Sequence, residues 1–306
     1  MISKEEYKKY IYELTKNDEN NKDLSYLSSK RSSKFGMLTI IGFLIIVIGF
    51  IFAFNLIFIV IGVVMLVSGI IGSNKEKQIN NHYKDKYIEN ILQRLLEGYN
   101  YTFDRYGQVS EGIFRQSHFV YNYDRYKGMD KLSINIPNDD NSKSNSNLTL
   151  CDLNVIKREE DDDGNTKDVS VYEGVFGYVD FPCEFKCLLS INTKYKKFGV
   201  TTEKVKLEDI NFHKKFGVYC SDQVEARYIL TPDMMDKLMM LQEKFNVIKL
   251  VLVDNRMYIG FPNVNLLELG SYKDDIITIF DDLYDDVYNI LSLVNEIKNN
   301  NKVFKM

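Results

Sequence analysis

The longest feature of the hydropathy pattern is a gap in charge, because no Asp, Glu, Lys or Arg occurs between Lys34 and Lys75. Within it, Met37 to Ile71 form 35 residues interrupted only by glycines, Thr39, Asn55 and Ser68. As one helix this run would be about 52 Å long, against roughly 30 Å for a hydrocarbon core. The pattern predicts two antiparallel transmembrane helices turning near Ala53-Phe54-Asn55, with arms of roughly 17 residues, the short end of what spans a bilayer. A secretory signal is a poor fit, since its apolar region is roughly 7 to 15 residues and is followed by a small-residue cleavage site. Gly42 and Gly49 lie seven apart on the first arm, as do Gly62 and Gly69 on the second, so each pair shares a helix face. Folding about the turn sets Gly49 level with Gly62 and Gly42 level with Gly69, as small residues sit where membrane helices pack closely. Lys30, Arg31 and Lys34 precede the hairpin and Lys75 and Lys77 follow it. The positive-inside rule then places a multi-pass protein in the cell membrane with both termini cytoplasmic; a re-entrant hairpin is the alternative.

Before the apolar run, residues 3 to 16 read as an amphipathic helix with Tyr7, Tyr10, Ile11 and Leu14 at helical spacing. Its mixed charge favours docking on the C-terminal domain over a lipid surface. Residues 17 to 33 read as a linker. After the run, residues 75 to 99 predict a continuing stalk helix whose Tyr87, Ile88, Ile91, Leu92, Leu95 and Leu96 form an apolar stripe. The aromatic segment 99–103 and a short helix near 109–118 follow.

From about residue 130 the period changes from helical to alternating. Leu132, Ile134 and Ile136, then residues 148–156, 169–178 and 185–191, and a strand pair near 199–207, predict antiparallel strands. Helices return at 221–228 and 232–245, the second with Thr231 as N-cap, Pro232 at the first helical position and Asp233 in the first turn. Residues 246–254 and 256–261 read as a hairpin about Asp254-Asn255. The last element, 274–297, is an amphipathic helix. Strands followed by helices give an α+β class. The expected organisation is 1–34 N-terminal helix and linker, 35–72 transmembrane hairpin, 73–128 stalk and connecting helices, and 129–306 cytosolic α+β domain.

Composition changes this picture little. The chain has 306 residues and a net charge of -4. Residues 73–306 carry -6, the total less the +2 of residues 1–34, which argues against nucleic acid as a partner. The four cysteines, Cys151, Cys183, Cys187 and Cys220, imply no disulfide framework in a reducing compartment.

Tyr172-Glu-Gly-Val-Phe-Gly177 and the longer stretch Val205-Lys-Leu-Glu-Asp-Ile-Asn-Phe-His-Lys-Lys-Phe-Gly-Val-Tyr-Cys-Ser-Asp-Gln-Val-Glu-Ala-Arg-Tyr-Ile-Leu-Thr-Pro232 carry a family resemblance. From Tyr172 to Leu238 the chain resembles an uncharacterised bacterial family, the domain of unknown function 3137 (DUF3137), with weaker likeness upstream through Asp124-Arg-Tyr126. The resemblance implies two N-terminal spans and no reaction, so it transfers no catalytic residue and no cofactor.

Four features carry candidate chemistry. Cys183 and Cys187 share a strand face, with His213 and Cys220 as further zinc ligands; the plainer reading is buried, inert thiols. Asp161-Asp162-Asp163-Gly164-Asn165 starts like a calcium loop, but with Gly164 at the sixth position the twelfth falls on Ser170 instead of Glu, so Asp163-Gly164 reads as a turn. On the last helix Asp281 with Asp285 and Asp282 with Asp286 form an acidic face, either solvated or kept for a basic partner. Asp222, Glu225 and Arg227 read as a capping box with an arginine–carboxylate pair, or as an anion site built on Arg227. Walker, nucleophile-elbow, dinucleotide and metalloprotease motifs are all missing, and His82, His118 and His213 are the only histidines. The sequence therefore points to a membrane-anchored, non-enzymatic interaction or scaffold module with a protein partner, homo-oligomerisation being left open. The alternative is a metal- or anion-binding enzyme or sensor around Cys183, Cys187 and Cys220 or around Arg227.

Overall fold

The structure, a computed structural model, describes residues 1–16, 34–51, 56–83, 87–138, 144–160, 164–193, 203–267, 276–300 and 303–304. Its helices are α1 (Lys4–Lys16), α2 (Lys34–Ile51), α3 (Leu56–Tyr83), α4 (Glu89–Leu95), α5 (Glu111–Gln116), α6 (Ile210–Lys215), α7 (Gln223–Ile229), α8 (Pro232–Phe245) and α9 (Ile276–Asn299). The strands are β1 (Asn100–Asp104), β2 (Arg125–Ile136), β3 (Ser146–Glu160), β4 (Thr166–Asp180), β5 (Leu189–Thr193), β6 (Glu203–Lys204), β7 (Phe216–Cys220), β8 (Lys249–Val253) and β9 (Arg256–Pro262). The chain divides into two compact units: Ile2–Leu95 with Leu267–Leu283, and Leu96–Leu266 with Tyr284–Met306. The expected linker at 17–33, the hairpin turn at 53–55 and the aspartates 161–163 lie outside the described residues.

The larger unit is built on one antiparallel sheet whose described strands run in the order β1-β2-β3-β4-β9-β8-β5-β7-β6. Period-2 alternation produces it: Leu132, Ile134 and Ile136 are buried on β2 while their neighbours are half-buried. Cys151, Leu153 and Val155 on β3 share one face with Tyr172 and Phe176 on β4 and Tyr258 on β9. Phe114 of α5 closes this face, packing against Tyr123, Tyr126, Tyr172 and Phe176 with ring centroids 5.0 to 5.9 Å apart. Gly260 is required beneath this cluster, because a Cβ there would stand 2.6 Å from both the Phe119 ring and the Tyr172 hydroxyl. On the opposite face Phe261 meets Phe245 of α8 at 4.4 Å. Helices α8 and α9 are joined by Lys237–Glu296 at 2.9 Å and Lys244–Asp286 at 2.8 Å.

Local chemistry ends the elements where the sequence indicates. Thr231 Oγ1 accepts the Met234 N–H at 3.1 Å and Pro232 opens α8, while Asn246 at φ 63 closes it. Asp254 takes φ 52 between β8 and β9, and Gly164 takes φ 81 between β3 and β4. Three short elements depart from expectation: 100–104 and 216–220 are strands, and 210–215 is a helix. Strand β5 begins at Leu189, later than residue 185; Phe185 makes only an isolated bridge to Phe304. Of the strand pair expected near 199–207, the described part is β6.

In the smaller unit, α1 buries Tyr7 and Ile11 completely. A capping box starts it: Ser3 Oγ accepts the Glu6 N–H at 3.3 Å, and Glu6 Oε2 accepts the Ser3 N–H at 3.2 Å. Lys8 pairs with Asp281 at 2.8 Å, and Arg94 of α4 lies over the Tyr10 ring. The apolar stripe from Tyr87 to Leu95 is buried, as its periodicity requires.

The membrane assignment requires correction. Among the described residues no helix is long and apolar enough to cross a membrane. This overturns the transmembrane hairpin and the multi-pass, both-termini-cytoplasmic localisation. Length is the physical ground: the apolar parts of the two arms, Met37–Ile51 and Leu56–Ile71, extend roughly 22 and 24 Å at 1.5 Å per residue, short of the roughly 30 Å of hydrocarbon. The segment is a packed helical hairpin.

Candidate functional site

The hairpin has an inverted distribution of side chains. Gly42, Gly49, Gly62 and Gly69 are buried, whereas Ile40, Phe43, Leu44, Val60 and Val64 each expose more than half of their surface. The glycines explain the interior. A Cβ on Gly42 would lie 2.7 Å from the Leu66 nitrogen and 2.8 Å from the Gly62 carbonyl oxygen, and one on Gly49 would lie 3.0 Å from Ile59. Gly42 thus faces Gly62 and Leu66, and Gly49 faces Ile59, a different level from the one expected by folding the sequence about its turn. The space over Gly62 and Gly49 is taken by Ile46 and Ile59 of the opposite arm, while the large side chains on the remaining faces point outward. A water-facing helix pair does the reverse.

The four aspartates of α9 do not act as one face. Asp281 pairs with Lys8, and Asp286, largely buried, pairs with Lys244. Asp282 is exposed and Asp285 half-buried. The charges of Asp281 and Asp286 are therefore answered within the chain, which weakens the case for a basic partner on this helix.

A second constellation lies where β5 and β7 pair. Leu189 opposes Cys220, and the Ser221 N–H donates to the Leu188 carbonyl at 3.1 Å, so the segment before β5 runs beside the end of β7. That pairing brings Cys187 Sγ within 3.2 Å of Cys220 Sγ, both buried. The Asp222 N–H donates to Cys220 Sγ at 3.4 Å. Because Cys220 already accepts that backbone donor, it is the better anion and Cys187 the better proton donor. The hydrogen bond shared with Cys187 draws the Cys220 thiol below its ordinary range despite burial, helped by the backbone N–H groups of Asp222 and Ser221. Cys187 moves the opposite way, through its bond to Cys220 and through burial. Sequence spacing suggested Cys183 with Cys187; strand pairing selects Cys187 with Cys220, which are 33 residues apart. Cys183 is half-buried, and Cys151 is buried on another part of the sheet with its thiol pushed up to about 12 by burial. His213 lies on α6. Among the described residues no three His, Cys, Asp or Glu side chains converge as metal ligands.

Asp222 is the N-cap of α7, its carboxylate accepting from the N–H groups of Val224 at 2.7 Å and Glu225 at 3.1 Å. The reciprocal half of the expected capping box is replaced, because the Asp222 N–H goes to sulfur, while Glu225 faces Lys186 at 3.8 Å. Arg227 meets carbonyls, not a carboxylate: it donates to Gln223 O at 2.7 Å and Lys206 O at 3.2 Å. With Tyr228, Thr231, Glu296, Asn299 and Asn300 it lines an open cleft of about 290 Å³. Two of its donors serve backbone carbonyls, and Glu296 on the wall is paired with Lys237.

Residues 170–299 match the family model described as a protein of unknown function (DUF3137), a segment that contains Cys187, Cys220, Asp222, Arg227 and the α9 aspartates. No curated protein matches the chain. Among solved structures, the crystal structure of the mycobacterial trehalose monomycolate transport factor A, TtfA, is similar at 8% identity, covering 72% of this chain and 97% of that one with a TM-score of 0.40. The likeness to DUF3137 is thus a likeness of residues 170–299.

Proposed function

We propose that the protein is a non-enzymatic interaction module that associates through the outward apolar surface of its α2–α3 hairpin. The supporting observation is the inversion itself: glycines fill the interior while Phe43, Leu44, Val60 and Val64 face outward. Covering apolar surface releases about 25 cal/mol per Å², so a patch this continuous drives association strongly. The sheet unit is then the part carried by the hairpin. A partner protein and self-association are both compatible with such a surface.

The test compares the full chain with a variant carrying Phe43→Glu, Leu44→Lys, Val60→Lys and Val64→Glu, by light scattering and by identification of whatever co-purifies. The wild type is expected only in complex with a second copy, another protein or an added amphiphile, and the variant is expected to lose that complex while keeping its circular dichroism. Wild-type protein that stays monomeric and uncomplexed in plain buffer overturns the reading.

A further inference from the structure

We infer that Cys187 and Cys220 form a redox site that small hydroperoxides oxidise reversibly to an intramolecular disulfide. Three features of the geometry carry it. The sulfurs are already 3.2 Å apart, so closing to the roughly 2.05 Å of a disulfide needs a movement of only about 1 Å. The two cysteines sit on neighbouring backbone segments locked by β5–β7 pairing and by the Ser221–Leu188 bond, so neither has to be recruited from elsewhere. The backbone N–H of Asp222 points at Cys220 Sγ, a donor that favours thiolate at that sulfur. Cys187 is 7% exposed and Cys220 1%, so hydrogen peroxide, the smallest hydroperoxide, is the probe that reaches the pair most readily.

The chemistry balances without a metal or cofactor. The Cys220 thiolate attacks one peroxide oxygen; a sulfur–oxygen bond forms, the oxygen–oxygen bond breaks, and hydroxide leaves and is protonated to water. Cys187 then gives up its proton and attacks the Cys220 sulfenic sulfur. The sulfur–sulfur bond forms, the sulfur–oxygen bond breaks, and the departing hydroxide takes a proton as the second water. Two thiols lose two electrons in total, and one peroxide becomes two waters. A dithiol reductant reverses the product by exchange. Cys183 and Cys151 take no part.

The experiment uses the full chain, reduced, desalted and exposed to hydrogen peroxide, followed by denaturing alkylation and peptide mass mapping. The expected product is about 2 Da lighter than the dithiol, has two alkylatable cysteines where the reduced chain has four, contains a 187–220 linked peptide, and returns to four with dithiothreitol. Cys187→Ser should stop at a Cys220 sulfenic acid that dimedone traps, while Cys220→Ser should lose the fast reaction altogether. Four alkylatable cysteines after peroxide treatment of wild type overturn the proposal, as does a linkage of Cys183 to Cys187. Because the wild-type map alone decides, a variant that fails to fold does not leave the question open.

Discussion

At the residue scale, the positions that matter most are those where a neighbour leaves no tolerance. Phe114 is buried completely among four aromatic rings, so Phe114→Ala removes a large apolar volume and its edge-to-face contacts together. A loss of about 3–5 kcal/mol in unfolding free energy is expected in urea titrations. Gly260→Ala should cost about 1–3 kcal/mol by overpacking, because its Cβ meets Phe119 and Tyr172 at 2.6 Å. Asp222→Ala removes a cap that serves two N–H groups of α7, with about 1 kcal/mol expected by the same measurement. Cys151 supplies a pH dependence whose sign is fixed. Burial raises its folded thiol from 9.0 to about 12. The folded state holds that proton more tightly than the unfolded chain, so the contribution is complete below pH 9 and is lost as pH rises toward 12. Unfolding midpoints measured from pH 8 to pH 11 should fall, and Cys151→Ala should flatten part of that slope.

At the element scale, the hairpin, α1 and β7 illustrate what periodicity carries and what it misses. The buried stripe on α4 and the N-cap of α8 were readable because each depends on residues within one or two turns. The same holds for α1, whose Ser3-to-Glu6 capping box is a signal contained within one turn. Strand β7 was not readable: Phe216–Cys220 is five residues long and lies against α6, with no alternation to separate strand from turn. The glycine contacts shifted for a geometric reason. The arms pair about residue 54, the midpoint of Gly42 with Leu66 and of Gly49 with Ile59, so Gly42 faces Gly62 and Leu66 instead of Gly69. Gly42→Leu with Gly62→Leu should force the arms apart, which faster amide exchange along α2 and α3 would report, with little change in the sheet.

At the scale of the whole molecule, the hairpin carries apolar surface outward and the sheet unit carries a buried dithiol. The acidic face of α9 contributes less than its sequence suggests, because Lys8 and Lys244 already answer Asp281 and Asp286. Neutralising all four aspartates should therefore lower stability, read as a reduced urea midpoint, instead of only releasing a basic partner. Association, by contrast, should follow the hairpin substitutions. The two effects separate cleanly, because the first moves an unfolding transition and the second a molecular mass.

The α+β class, the β2–β3–β4 alternation, the Asp254 turn and the amphipathic last helix were determined by sequence alone, since each depends on spacing within a single element. The DUF3137 resemblance was legible from Tyr172 to Leu238, within the 170–299 that the family model matches. Tertiary structure decided the rest. It left no described helix long and apolar enough to cross a membrane, brought Gly42 against Gly62 and Leu66, and answered Asp281 and Asp286 with lysines from distant segments. It also chose Cys220 over Cys183 as the neighbour of Cys187, because strand pairing places residues 33 apart in sequence within hydrogen-bonding distance, and no local spacing encodes that register.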